Sequence, residues 1–191
     1  MEIPWTDGDW LNPPPATRPD GDHLLVTAAR GSDFWRTTAY GFVHDTGHAL
    51  LVDLPDGSAV EVAFLLDFDG TFDQAGVFVV AAPDRWIKAA VEFSDGAPQV
   101  GAVVTRGVSD WSVAPVPEWS GRVVTIRTSR SGDALTVRAR VDGEPWRLVR
   151  VAPIDPEAAL RAGPLLAAPK RDGLVVRFTR FDRGPADAAL H

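Results

Sequence analysis

The sequence predicts an all-β fold, a β-sandwich of two packed antiparallel sheets. Three observations predict it. Apolar residues recur with period 2: Val60, Val62, Phe64, Leu66 and Phe68 oppose Glu61 and Asp67, and Leu135, Val137, Ala139 and Val141 oppose Thr136, Arg138 and Arg140. Asp-Gly pairs separate the runs at Asp69-Gly70, Asp95-Gly96, Asp142-Gly143 and Asp172-Gly173; glycine there accepts the positive φ of a tight turn. Turn signals fall every ~8–12 residues, the spacing of short strands in two sheets.

The elements follow in order. Residues 1–20 read as irregular, because Pro13-Pro14-Pro15 has no backbone donors and allows only short edge strands around Trp5 and Trp10. Strands are expected at 23–29, 35–43, 48–53, 58–68, 73–81, 85–93, 98–106, 110–114, 121–129, 133–141, 145–151, 164–168 and 173–181. One helix is expected from Asp155 to Ala162, with Asp155 as cap, Pro156 in the first turn and Gly163 as terminator. Residues 184–191 read as a loose tail. No linker or repeat divides the chain, so 1–191 is expected to form a single sandwich domain.

Composition narrows the function classes. With 45% hydrophobic and 24% charged residues, the chain has enough apolar material for a core. No segment approaches the ~20 apolar residues of a membrane span, and the acidic start lacks a secretion-signal pattern. The expected location is cytoplasmic. The absence of cysteine excludes disulfides and thiolate metal sites. A net charge of −7 disfavours a nucleic-acid partner. No phosphate-cradling glycine loop or nucleophile elbow is present, and no metal or cofactor is expected. A homo-oligomer is compatible with all of this.

The chemistry concentrates in four stretches. Residues 33–48 hold Trp35, the only tyrosine (Tyr40) and two of the four histidines, His44 and His48. The others are Asp73-Gln74-Ala75-Gly76, residues 86–92 and residues 104–112. Within 85–93, alternation puts Ile87, Ala89, Val91 and Phe93 on a core face and Trp86, Lys88, Ala90 and Glu92 on the other. The second face reads as a cleft wall with a stacking surface, a cation and a carboxylate. Trp35 and Tyr40 differ in parity, so a regular strand cannot point both inward.

Asp33-Phe34-Trp35-Arg36 with Tyr40-Gly41 and Gly47-His48, then Asp73-Gln74-Ala75-Gly76, Trp86-Ile87-Lys88 with Glu92, and Val104-Thr105 with Ser109-Asp110-Trp111-Ser112 resemble the DUF1349 family, which has YesU-like and yeast "regulation of enolase"-like members. The resemblance covers about residues 5–181. It implies a concanavalin A-like jelly roll of the lectin/glucanase type and hints at a carbohydrate ligand.

The candidate site residues are therefore those of sugar recognition. Trp35, Trp86 and Trp111 offer flat rings for sugar C–H faces, against the plainer reading that they are core. Arg36, Tyr40, His48, Gln74, Lys88, Glu92, Thr105 and Asp110 can hydrogen-bond hydroxyls or a uronate, against the reading that they close polar networks. Glycoside hydrolysis usually needs two carboxyls roughly 5–9.5 Å apart; Glu92 with Asp73 or Asp110 is the candidate pair, drawn from different strands. The leading expectation is an intracellular lectin-like protein that binds a sugar or oligosaccharide. The alternatives are a glycan-active enzyme and a regulatory protein-interaction module.

Overall fold

The computed structural model describes residues 1–190. Two seven-stranded antiparallel sheets pack face to face. The strands are β1 (Asp9–Leu11), β2 (Ala16–Asp20), β3 (His23–Thr27), β4 (Phe34–Arg36), β5 (Val43–Asp45), β6 (His48–Asp53), β7 (Ser58–Leu65) and β8 (Gln74–Ala82). They continue with β9 (Arg85–Ser94), β10 (Ala97–Arg106), β11 (Val108–Pro115), β12 (Val123–Ser131), β13 (Ala134–Val141), β14 (Arg147–Pro153), β15 (Arg161–Ala167) and β16 (Val175–Pro185). The first sheet has the order β1-β6-β15-β8-β9-β10-β11, the second β14-β13-β12-β7-β16-β3-β2, and β4-β5 stand apart as a hairpin.

Alternation did its expected work. Val60, Val62 and Phe64 of β7, Leu135, Val137 and Ala139 of β13, and Ile87, Ala89 and Val91 of β9 all enter one core between the sheets. Fully buried Phe64, Phe178, Phe181 and Trp119 are its largest members. Burial of such side chains contributes about 1.5–3 kcal/mol each.

Three expectations need correction. The 35–43 strand is two short strands joined by a loop, β4 and β5. The helix at 155–162 does not form: Arg130 donates to the carbonyl oxygens of Leu54, Pro156 and Ala158, and β15 begins at Arg161. A helix would need those Pro156 and Ala158 carbonyls for its own amides. The first twenty residues hold two short strands, both at sheet edges as the triple proline allows, with β1 paired to β6 and β2 to β3. The tail is held as far as residue 190: the Asp187 carboxylate bonds to Arg127 and Arg138, its N–H donates to Ser129 Oγ, and Arg138 donates to the Leu190 carbonyl. His191 lies outside the described residues.

The first sheet has an unusual outer face. Besides the inter-sheet core, a second apolar cluster forms there from Phe34, Trp35, Ala49, Leu51, Phe78, Trp86, Ala90, Val103 and Leu165. The β4-β5 hairpin covers this cluster, and it is this covering that builds the site.

Candidate functional site

The hairpin is seated at two points. Phe34 stacks on Phe78 with ring centroids 4.0 Å apart and lies 5.9 Å from Trp86. At the other end, the Arg36 N–H donates to Ser109 Oγ at 2.9 Å, and Ser109 Oγ is 2.9 Å from Thr105 Oγ1. The loop between the strands turns back through positive φ at Thr37 (64°), Ala39 (62°) and Gly41 (74°). Left-handed backbone at non-glycine residues stores strain of order 1–3 kcal/mol, a cost that concentrates at functional loops. The turn brings Tyr40 back over Trp35, edge to face at 5.6 Å, which resolves their opposite parity.

Gly47 gives the hairpin its fit. A Cβ there would lie 2.3 Å from the Phe34 ring. Gly47→Ala is expected to unseat Phe34, lower stability by about 2 kcal/mol through strain and lost packing, and raise hydrogen exchange at 33–46 before the rest of the sheet. Exchange that stays unchanged in the hairpin would contradict this coupling.

Between hairpin and sheet lies a cavity of about 290 Å³. Strand register explains its floor. Gln74, Glu92 and Gln99 form one cross-strand row; Phe78, Lys88, Val103 and Trp111 form another. Gly76, Ala90 and Gly101 lie between these rows and carry almost no side chain. A Cβ at Gly76 would sit 2.1 Å from the Ala89 carbonyl oxygen, so that position admits only glycine. Asp33 drops from the hairpin to bridge the rows: its Oδ1 accepts from Lys88 Nζ at 3.2 Å, from Gln74 Nε2 at 3.2 Å and from the Phe34 N–H at 2.8 Å.

The walls are aromatic. Trp35, Tyr40, Phe42, His44 and Trp111 line one side, and Phe72, Pro169 and Lys170 the other. Trp35 meets Trp111 edge to face at 6.1 Å, Tyr40 stacks on Phe42 at 5.3 Å, and Phe42 packs on His44 at 4.5 Å. Tyr40 (59% exposed) and Trp111 (37% exposed) keep ring surface in solvent. Trp35 Nε1 donates to the Thr38 carbonyl, so the loop sets that ring's orientation.

The floor is electrostatically uneven. Burial pushes the Glu92 carboxyl above its ordinary range; Lys88 opposes this and Asp33 adds to it. The Lys88 ammonium bonds to Asp33 rather than to Glu92. Gln74 Oε1 is buried with no partner. The cavity thus presents an unengaged acceptor and a carboxyl biased towards its protonated form, which can donate.

The raised Glu92 pKa has a consequence for stability. An unfolded chain ionises Glu92 near its ordinary value of 4.5, whereas the folded chain holds the proton to higher pH. Raising pH through that window therefore lowers stability. Glu92→Gln is expected to raise Tm at pH 8 and leave it unchanged at pH 4. Equal gains at both pH values would contradict the assignment.

A family model described as "Protein of unknown function (DUF1349)" matches residues 10–186. The chain belongs to the DUF1349 family. It is 33% identical over 187 residues to "Regulation of enolase protein 1" of Saccharomyces cerevisiae, covering 97% of this chain and 94% of that one. A solved S. cerevisiae protein described as functionally unknown superposes with a TM-score of 0.90 at 31% identity, covering 97% and 100% of the two chains. More distant structures share the fold alone. The GH43 protein BlXynB of Bacillus licheniformis matches at TM-score 0.66 and 10% identity over 87% of this chain but 33% of its own length. Lectin I-B4 of Griffonia simplicifolia matches at 0.51 and 17% identity, over 88% and 90% of the chains. The jelly-roll sandwich of two antiparallel sheets is thereby shown.

Within this DUF1349 chain, the residues singled out from sequence divide into two groups. Trp35, Tyr40, Gln74, Lys88, Glu92 and Trp111 meet in the cavity. The others lie elsewhere, each for a physical reason. Trp86 is 4% exposed under Phe34 and beside Phe78, so its ring faces are occupied. Arg36 and Thr105 anchor the hairpin through Ser109. His48 is a buried neutral imidazole: Nδ1–H donates to the Asn12 carbonyl, Nε2 accepts from the Ala29 N–H, and burial lowers its pKa while the Asn12 bond opposes that. Asp73 is fully buried and bonds to Arg171 and the Gly70 N–H. Asp110 points to the opposite face of β11 and pairs with Arg150 at 2.8 Å. Neither aspartate reaches Glu92's cavity.

Asp33, Phe42, His44, Phe72 and Lys170 complete the lining without having been singled out for it. Asp33 was visible at the head of Asp33-Phe34-Trp35, but nothing in strand periodicity assigns direction to a loop residue. Among the described residues no group of three or more His, Asp or Glu side chains is arranged to hold a metal ion, and no helix is long and apolar enough to cross a membrane.

Proposed function

We propose that the cavity binds a single sugar ring, either a monosaccharide or the end of an oligosaccharide, as a lectin does. One observation carries the reading: an aromatic wall of Trp35, Tyr40 and Trp111 faces a floor of directional hydrogen-bonding groups, Gln74, Lys88, Asp33 and Glu92, in one cavity. Sugars are amphipathic in this way, with apolar C–H faces and a rim of hydroxyls. The volume of about 290 Å³ sits at the small end of ligand pockets, which suits one ring better than a chain. The buried, unpartnered Gln74 Oε1 is an acceptor awaiting a hydroxyl.

A ligand-observed saturation-transfer NMR screen of neutral hexoses, pentoses and uronic acids tests this. At least one is expected to receive saturation, and Trp111→Ala is expected to abolish the signal without unfolding the chain, because that ring is half in solvent. Silence from every sugar at millimolar concentration would remove the reading.

A second reading rests on the two carboxyls that share the cavity. Glu92, biased towards its acid form, could protonate a glycosidic oxygen, while Asp33 activates water as base. Asp33 thus replaces Asp73 and Asp110 as the partner. Turnover of nitrophenyl glycosides that is abolished by Glu92→Gln, with binding retained, would favour hydrolysis over binding alone.

A further inference from the structure

A cavity larger than the one under the hairpin lies elsewhere. About 600 Å³ opens on the inner side of the first sheet, where the ends of β8, β9 and β10 meet the segment 153–160. Its walls are apolar: Val79, Ile87, Val104, Ile154, Ala158 and Leu160. Val79, Ile87, Val104 and Leu160 are members of the inter-sheet core, with Ile154 and Ala158 packed against it, and the cavity opens where this core ends. Protein interiors are close-packed, and an apolar cavity of this size that opens to water is costly unless something fills it.

The polar side chains of the cavity are Arg85, Arg106, Thr105 and Asp155. Arg85 and Arg106 line it and are direct cross-strand neighbours. Both are exposed while Ile87 (5% exposed) and Val104 (8% exposed), two residues along the same faces, are buried, so the guanidinium groups mark the mouth. Like charges directly opposite across strands destabilise a sheet. Neither guanidinium has a carboxylate within ion-pair distance among the described residues; Arg106 donates only to the Pro153 carbonyl. Asp155 also lines the cavity, but its carboxylate caps the Glu157 N–H. An apolar bore ending in two unneutralised guanidinium groups matches one chemical class, an amphiphile with an aliphatic body and a carboxylate head.

We propose that this cavity is a second binding site, which takes a medium-chain carboxylate, with the chain between the sheets and the head on Arg85 and Arg106. The two cavities share no lining residue, although Trp86 and Thr105 of the outer face border this one beside the inner-face residues named above.

Isothermal titration with sodium decanoate, kept below its micelle concentration, tests it. The wild type is expected to bind. Arg85→Gln with Arg106→Gln is expected to weaken binding at least tenfold, and decanol should bind the wild type as weakly as decanoate binds that variant. Ala158→Phe, which fills the bore and leaves both arginines, should abolish binding of both probes. Circular dichroism melts confirm that each variant is folded. No heat with wild type at 1 mM decanoate would overturn the proposal, as would affinity that both kinds of variant leave unchanged.

Discussion

Lys88→Met is expected to lower stability by about 2–3 kcal/mol and to abolish ligand binding in the outer cavity. Lys88 is 4% exposed, and its ammonium is the ion-pair partner of Asp33, whose side chain is 19% exposed. Breaking a buried pair from one side strands the other charge, at about 3–5 kcal/mol when burial is complete. The residual exposure of Asp33 places the expected value below that range. For a chain of this length the loss corresponds to roughly 5–10 °C in Tm. Adding Asp33→Asn should recover most of the stability, because no stranded charge remains, but not the binding. A Lys88→Met protein with unchanged Tm would show that the pair does not hold the hairpin to the sheet.

Arg171→Ala is the second large effect. Asp73 is fully buried, and Arg171 reaches its Oδ2 with Nε at 2.7 Å and Nη2 at 2.5 Å, while Gly70 N–H donates at 3.1 Å. The pair ties the β8 entry to the segment carrying Pro169 and Lys170, both of which line the outer cavity. Removing the guanidinium leaves a buried carboxylate with one amide, at a cost of about 3 kcal/mol. Adding Asp73→Asn should recover part of it. Because the pair shapes the cavity rim without touching its interior, ligand affinity is expected to fall several-fold rather than vanish. Loss of affinity with full retention of Tm would place Arg171 on the ligand instead.

The strands were legible because alternation is a local signal and burial on one face enforces it. The face of β9 that holds Lys88 and Glu92 was legible for the same reason, and both side chains do share one cavity. Trp86 shows the limit of that signal. Its parity placed it on the outer face, where it is, but a hairpin fifty residues upstream covers that face with Phe34. Pattern along one strand cannot report what another segment lays over it. The hairpin itself escaped because Thr37 and Ala39 take left-handed backbone that neither side chain favours. The helix at 155–162 had correct end signals, but these lost to Arg130, which takes two of its carbonyls. Asp73 and Asp110 had the right chemistry for a cleft and found arginines first.

What unifies the outer site is the hairpin as a lid on a sheet face, with Asp33 as its polar latch and Trp35 and Tyr40 as its aromatic lip. Glu92 sits below, biased towards its proton by burial. Under the proposed sugar-binding reading, a ring would stack on Trp111, whose plane stands at 88° to that of Trp35, with its hydroxyls turned towards Gln74, Glu92 and the Asp33–Lys88 pair.

The direct measurement is a crystal structure of the protein with the sugar that gives the strongest saturation transfer. The predicted result is ring density between Trp111 and the Gln74–Glu92 row, with a hydroxyl within hydrogen-bond reach of Gln74 Oε1. Density for the sugar at any other place, with this cavity filled only by water, would contradict the account.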